Sequence, residues 1–182
     1  AAFNDSTITG EKTLKCISQF MLTLVSSNSK YDKVKRGEEK FNLQEENGYK
    51  LFKTNCSTCH KEPLFTTNEF ANNGLVPDKT LNDIGRMKIT GTKQDSLKFK
   101  IPTLRNIEVS YPYMHDGRFK KLSQVLEHYS QTKAHDIKVP IVLNANEKID
   151  LIAFLLTLTD KEFLMNKDHG FPSYFFSNKP HE

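Results

Sequence analysis

The pentapeptide Cys56-Ser57-Thr58-Cys59-His60 constrains this chain more than any other stretch of its sequence. Two thiols three positions apart, with an imidazole directly after the second, is the spacing of c-type haem attachment. On one helical turn both sulfurs can reach the two vinyl groups of a porphyrin, and the following histidine can turn a ring nitrogen to the iron. A structural zinc site needs four ligands, and no second cysteine pair completes one. A redox dithiol belongs beside a strand–helix–strand pattern, which the sequence lacks. The expected cofactor is therefore one covalent haem c, held by Cys56 and Cys59, with His60 as proximal ligand.

A chain of 182 residues is a prior of one domain with extensions and buries roughly 70% of its unfolded surface. With 37% hydrophobic and 26% charged residues it reads as soluble and globular. No apolar run reaches spanning length, so no membrane span is expected. A net charge of +4 is mild; without a long basic tract or an RNA-binding aromatic motif, nucleic acid is not an expected partner. The chain begins Ala1-Ala2, which reads as a mature or trimmed start. Haem c is attached outside the cytoplasm in bacteria, so the motif points to the periplasm.

Apolar residues at three- and four-residue steps predict an amphipathic helix over residues 11–26. The third cysteine, Cys16, lies in its stripe and is expected to be a buried, inert thiol. Residues 30–42 are polar and read as a linker. The helix carrying the attachment motif is expected from Gln44 to about Cys56, with Gly48, Leu51 and Phe52 on its buried side and Glu45 and Glu46 at its start. Residues 63–91 read as loop with short helical pieces. Residues 86–105 carry six basic side chains against the single acid Asp95, either a solvated face or a docking patch for a redox donor. Ser123 can cap a helix to about Ser130, and Asn144 with Glu147 resembles a capping box before the apolar segment 149–158. Strand alternation is weak throughout. The fold class is all-α, a cytochrome c-like haem domain over residues 43–160. It follows an N-terminal helix and interdomain linker over 1–42. An aromatic tail over 161–182 (Phe163, Phe171, Tyr174, Phe175, Phe176) is expected to pack on it.

Between these helices, residues 99–119 hold two prolines among aromatic residues and read as a stiff extended loop. Several blocks carry a resemblance. Asp83-Ile84-Gly85-Arg86 follows the haem motif. Ile101-Pro102-Thr103-Leu104-Arg105-Asn106 and Pro112-Tyr113-Met114-His115-Asp116-Gly117 come next, and Ala153-Phe154-Leu155-Leu156-Thr157-Leu158-Thr159-Asp160 closes the pattern. Phe20, Leu24, Ser29, Tyr31 and Asp32 match an interdomain segment. Over residues 11–165 the chain resembles the C-terminal half of the bacterial dihaem cytochrome c peroxidase and MauG family. That family carries two haem domains, and this chain has one attachment motif. The resemblance therefore implies an electron-entry haem domain whose partner is a second haem domain, on the absent N-terminal half, that reacts with hydrogen peroxide. This half alone is expected to be a poor peroxidase. A non-enzymatic monohaem electron carrier is the alternative.

The residue facing the iron opposite His60 stays open among Met87, Met114, His115 and Tyr129. By resemblance the family's ligand position falls on Tyr129, where the peroxidases place methionine and the MauG-like branch tyrosine. Also by resemblance, the backbone carbonyls of Ser110 and Pro112 would help hold a calcium ion at the domain interface. Arg105 is a candidate partner for a haem propionate or for a surface carboxylate.

Overall fold

In the computed structural model the chain is described over residues 3, 6–131, 136 and 141–172. It divides into two compact units, residues 29–159 and residues 1–28 together with 160–182. In chain order the elements are α1 Gly10–Thr23, α2 Lys30–Lys35, α3 Leu43–Asn55, β1 Phe70–Ala71, α4 Met87–Thr90, β2 Phe99–Lys100, α5 Leu122–Gln131, α6 Ala145–Leu156 and α7 Lys161–Leu164. The strands pair antiparallel with Phe70 opposite Lys100 and Ala71 opposite Phe99. A ladder this short leaves the fold all-α.

The larger unit is organised by α3 and α6, which pack on each other more extensively than any other pair. Both start with a reciprocal capping box that satisfies orphan backbone donors. In α3 the Asn42 side chain accepts from Glu45 N while Glu45 accepts from Asn42 N. Asn144 and Glu147 do the same for α6, as the sequence suggested. The helices meet at Gly48. A Cβ built there would lie 1.9 Å from the Asp150 carbonyl oxygen and 2.8 Å from Phe154 Cβ. Only a residue without a side chain lets the two backbones approach this closely.

Around the crossing lies an aromatic core. Phe52, Phe65 and Phe154 are fully buried, with ring centroids 5.2 Å apart for Phe52–Phe154 and 5.4 Å for Phe52–Phe65. Leu151, Leu155, Leu158, Leu122 and Leu126 complete it. Helix α5 enters this core through Leu122 and Leu126. Gln124, rather than the expected Ser123, serves its start: the Gln124 Oε1 accepts from the backbone N–H groups of Lys120 and Lys121.

Residues 30–42, expected as linker, instead contribute a helix to this unit. Ser29 caps α2 in a box with Asp32, and Tyr31 and Asp32 are buried. The reason lies 73 residues away, where the Arg105 guanidinium donates to both Asp32 carboxylate oxygens at 2.9 Å. The same guanidinium donates twice to the Pro63 carbonyl, at 3.1 and 2.8 Å. Burial alone would raise the Asp32 carboxyl. The hydrogen bonds from Arg105 and Ser29 outweigh it and hold the group below the usual carboxylate range. A backbone bond from Tyr31 N to Thr157 O, at 3.0 Å, also ties α2 to the end of α6. The compact unit thus takes in residues 29–42, ahead of the sequence-based boundary at 43.

In the smaller unit, Thr9 caps α1 by accepting from Lys12 N. Asp160 accepts from Asn28 N at 2.8 Å and caps α7 through Phe163 N at 3.0 Å. No residue of α1 is buried, and Cys16 is exposed, not sequestered. The amphipathic stripe forms a helix, as its period predicts. Periodicity does not say what covers it. In the aromatic tail, Phe163 packs on His169 with centroids 4.9 Å apart, Phe171 is exposed, and Tyr174, Phe175 and Phe176 lie outside the described residues.

Two outcomes follow. Gly48→Ala forces α3 and α6 apart and lowers stability to denaturant by about 2 kcal/mol, despite alanine's better helix propensity; a variant as stable as the parent would mean the crossing relaxes freely. Asp32→Asn leaves the largely shielded Arg105 without its counter-charge and costs about 3 kcal/mol. Because the folded-state pKa of Asp32 is depressed, its contribution is present above the ordinary value of 3.8 and is lost as pH falls below it. Acid titrations of stability therefore show a shallower fall below pH ~4 in the variant than in the parent.

Candidate haem-attachment site

Helix α3 ends at the attachment motif. Cys56 is its C-cap, with Cys56 N bonded to Phe52 O. The chain then makes a tight turn: Cys59 N donates to Cys56 O at 3.2 Å and His60 N to the same oxygen at 2.9 Å. This i to i+4 closure presents both thiols and the imidazole from one turn. The turn is tied down by Thr67 N donating to Cys59 O at 3.1 Å and by Thr66 Oγ1 donating to Ile101 O at 2.6 Å.

His60 is the best-defined member. Its Nδ1 lies 3.1 Å from the Phe65 carbonyl oxygen and 3.2 Å from the Pro102 carbonyl oxygen. Carbonyls only accept, so Nδ1 carries the proton and Nε2 keeps its lone pair. That tautomer is the one a metal-ligating histidine needs, and the two carbonyls also fix the ring plane. Burial holds the imidazole pKa below its ordinary value, against the two backbone bonds, which favour the charged form. Phe65, which supplies one carbonyl, has φ 54° and is fully buried. Its left-handed backbone turns the carbonyl toward His60 while its ring enters the core. Pro102 supplies the other from the Ile101-Pro102-Thr103-Leu104-Arg105-Asn106 block.

Both attachment cysteines are half-buried. Burial pushes the Cys56 thiol up to about 12, with Cys59 adding to it. Burial also raises Cys59, with Asp136 and Glu69 reinforcing. Among the described residues no group of three or more His, Cys, Asp or Glu side chains converges as a metal site.

Tyr129, the other candidate ligand, lies on α5 and is half-buried. Burial raises its phenol above the usual range. The Asn73 amide opposes this, while the Cys56 and Cys59 thiols add to the rise. Asn73, which the sequence reading missed, connects the open candidates. Its Nδ2 donates to Met114 Sδ at 3.4 Å, and its carbonyl accepts from His128 Nε2 at 3.0 Å. Asn73 is held by Leu75 N donating to its Oδ1 at 3.2 Å, after a similar turn at Asn72. The Asn72-Asn73-Gly74 run was the available signal, but it reads only as a turn. Met114 itself has φ 71°. His115 is engaged elsewhere, stacked on Phe99 with centroids 3.6 Å apart. Met87 opens α4.

Two basic residues expected at a cofactor or docking face have internal partners. Arg105, a candidate for a propionate, is paired with Asp32 and Pro63 as described, and its guanidinium also sits 5.8 Å from the Phe65 ring centroid. Arg86 pairs with Asp95 at 3.2 Å and lies over the Phe70 ring. Ser110 and Pro112 are exposed in the loop before the Tyr113–Phe119 bridge.

These residues fit a covalently attached porphyrin: paired thiols on one turn and a histidine held through Nδ1 so that Nε2 keeps its lone pair. Comparison with known proteins agrees. The family model of cytochrome c matches residues 45–159. The chain is 38% identical over 161 residues to a cytochrome c551 peroxidase of Nitrosomonas europaea, covering 86% of this chain and 47% of that protein. It is 34% identical to the methylamine utilization protein MauG of Methylorubrum extorquens, covering 78% of this chain and 42% of MauG. The solved structure of a MauG-like protein associated with microbial copper homeostasis superposes with a TM-score of 0.70 at 30% identity, over 81% of this chain and 52% of that one. The chain thus spans about half the length of these relatives, or less. No helix among the described residues is long and apolar enough to cross a membrane. From its attachment turn to its helix crossing, the chain belongs to the cytochrome c family, with bacterial cytochrome c peroxidases and MauG proteins as its relatives.

Proposed function

We propose that this chain is the haem c redox domain of a periplasmic, dihaem cytochrome c peroxidase or MauG-like enzyme. In this reading it passes electrons to or from a second haem domain where hydrogen peroxide reacts. The observation that carries the reading is a histidine locked as the Nδ1–H tautomer on the same turn that presents the two attachment thiols. Cys56 and Cys59 would hold the porphyrin, His60 Nε2 would ligate the iron, and Tyr129 would be the ligand opposite. Haem c supplies a one-electron Fe(III)/Fe(II) couple when bound. The protein's part is to orient His60 through the Phe65 and Pro102 carbonyls, to keep water from the thioether side, and to set the potential through Tyr129. A phenolate is a hard anionic ligand that favours the oxidised metal. If His60 and Tyr129 both held the iron, peroxide would find no site here, so peroxide turnover would belong to the other haem domain and this chain alone would be a weak peroxidase. The Ser110 and Pro112 carbonyls are proposed as part of a calcium site completed by that other domain.

One contact favours the second reading, a monohaem electron carrier. Asn73 Nδ2 reaches Met114 Sδ at 3.4 Å, so a thioether also lies in Tyr129's neighbourhood, and methionine ligation is typical of simple electron-transfer cytochromes. The ferric absorption spectrum and midpoint potential of the haem-loaded chain decide between them. Tyr129→Phe changes the ferric spectrum and raises the potential, while Met114→Leu leaves both as in the parent. A methionine–iron charge-transfer band that survives Tyr129→Phe and disappears in Met114→Leu would move the function to the carrier.

A further inference from the structure

Behind Phe65, which holds His60 through its carbonyl, lie two tyrosines bridged by the Glu62 carboxylate that the haem-attachment chemistry does not use. The Tyr31 hydroxyl donates to Glu62 Oε1 at 2.8 Å. The Tyr49 hydroxyl donates to the other oxygen of the same carboxylate, Oε2, at 3.3 Å. Lys35 Nζ donates to the Tyr49 oxygen at 2.6 Å. The two rings meet edge to face with centroids 6.5 Å apart. Tyr31 is 2% exposed, whereas Tyr49 and Glu62 are partly exposed. Inward, Tyr31 packs on Phe65 with centroids 4.8 Å apart, and Phe65 is the residue whose carbonyl holds His60 Nδ1. One contiguous set of contacts therefore runs from the proximal ligand through Phe65 and Tyr31 to Tyr49 at the surface.

We propose that Tyr31, Glu62 and Tyr49 form a proton-coupled electron relay between an external reductant at Tyr49 and an oxidised haem held by His60. The inference rests on the haem c reading above and takes a peroxide as the ultimate oxidant. Each step balances. One electron leaves Tyr31 for the oxidised haem, the Tyr31 O–H bond breaks, and its proton passes to Glu62 Oε1, leaving a neutral tyrosyl radical and a carboxylic acid. In the second step Tyr49 gives one electron to the Tyr31 radical and its proton to Glu62 Oε2, while Glu62 returns the first proton to Tyr31. The radical then sits on Tyr49 and one proton on Glu62 Oε2; a reductant that donates a single electron at Tyr49, with that proton returning from Glu62 to the phenol, restores both tyrosines and the carboxylate. A carboxylate bridging two phenols is what this exchange requires, because each oxygen faces one proton. Burial and the Glu62 hydrogen bond push the Tyr31 phenol far above its ordinary range, so loss of the electron is coupled to loss of the proton and not preceded by it.

The alternative is a polar cluster that merely closes the aromatic core, and the test separates the two. The chain matured with haem c is photo-oxidised by flash-quench with a ruthenium tris-bipyridyl sensitiser, frozen, and read by EPR with and without ring-deuterated tyrosine. The expected result is a neutral tyrosyl signal that narrows on deuteration and is lost in Tyr31→Phe. It is also lost in Glu62→Gln, which keeps both rings and removes only the proton acceptor, so the test does not depend on Tyr31→Phe folding. In Tyr49→Phe the signal forms but decays more slowly with ascorbate present. A signal undiminished in Glu62→Gln overturns the relay while leaving the haem reading intact. A chain that carries no haem after maturation overturns both.

Discussion

The close crossing of α3 and α6 at Gly48 is the constraint on which the rest of the larger unit depends. A helix pair that touches backbone to backbone has little freedom in its angle or register. Phe52, one turn beyond Gly48, and Phe154 on the facing helix are locked by it, and they set the aromatic core. The attachment turn begins where α3 ends, so the positions of Cys56, Cys59 and His60 are inherited from that crossing. Leu151, Phe154 and Leu158 hold the partner helix with almost no exposure, and the chain returns from α6 to bond Tyr31 N and Asn106 N through the Thr157 and Leu158 carbonyls.

A second level of organisation acts through Arg105. Its guanidinium joins α2, the loop around Pro63 and the block containing Pro102. Pro63 and Pro102 both serve the loops at the imidazole: one precedes Phe65, whose carbonyl meets His60 Nδ1, by two residues, and the other supplies its own carbonyl to His60. The buried ion pair with Asp32 is thus a buttress for the loops that fix the histidine tautomer. Ion pairs of this kind contribute little as bare attraction because desolvation offsets them, and much as a geometric constraint when every donor is matched.

What could be read from sequence follows the range of the interactions involved. The haem turn, the capping box of α6 and the Gly48–Phe52 face of α3 are local patterns, and each is present in the structure. Helix α2 escaped notice because six mostly charged residues carry no period, and its burial depends on Arg105. The same long-range pair redirects Arg105 from the propionate role that its block implied. Asn73 was invisible for a related reason: as part of a polar turn it looks like loop, and only folding brings it to Met114, Tyr129 and His128. Cys16 failed in the opposite sense. Its apolar stripe is real, but a stripe in one half-length chain does not reveal its cover. The pair of two-residue strands is too short for alternation to register.

The central claim is that one porphyrin is bound through Cys56 and Cys59 with His60 beneath it. Its most direct test is the mass of the intact, acid-denatured chain after production with the cytochrome c maturation machinery. The account predicts a single mass increment of one haem that survives denaturation, is absent from the Cys56→Ala/Cys59→Ala double variant, and leaves Cys16 as the one thiol open to alkylation. A chain recovered with three alkylatable thiols, or with haem that dissociates in acid, would contradict it.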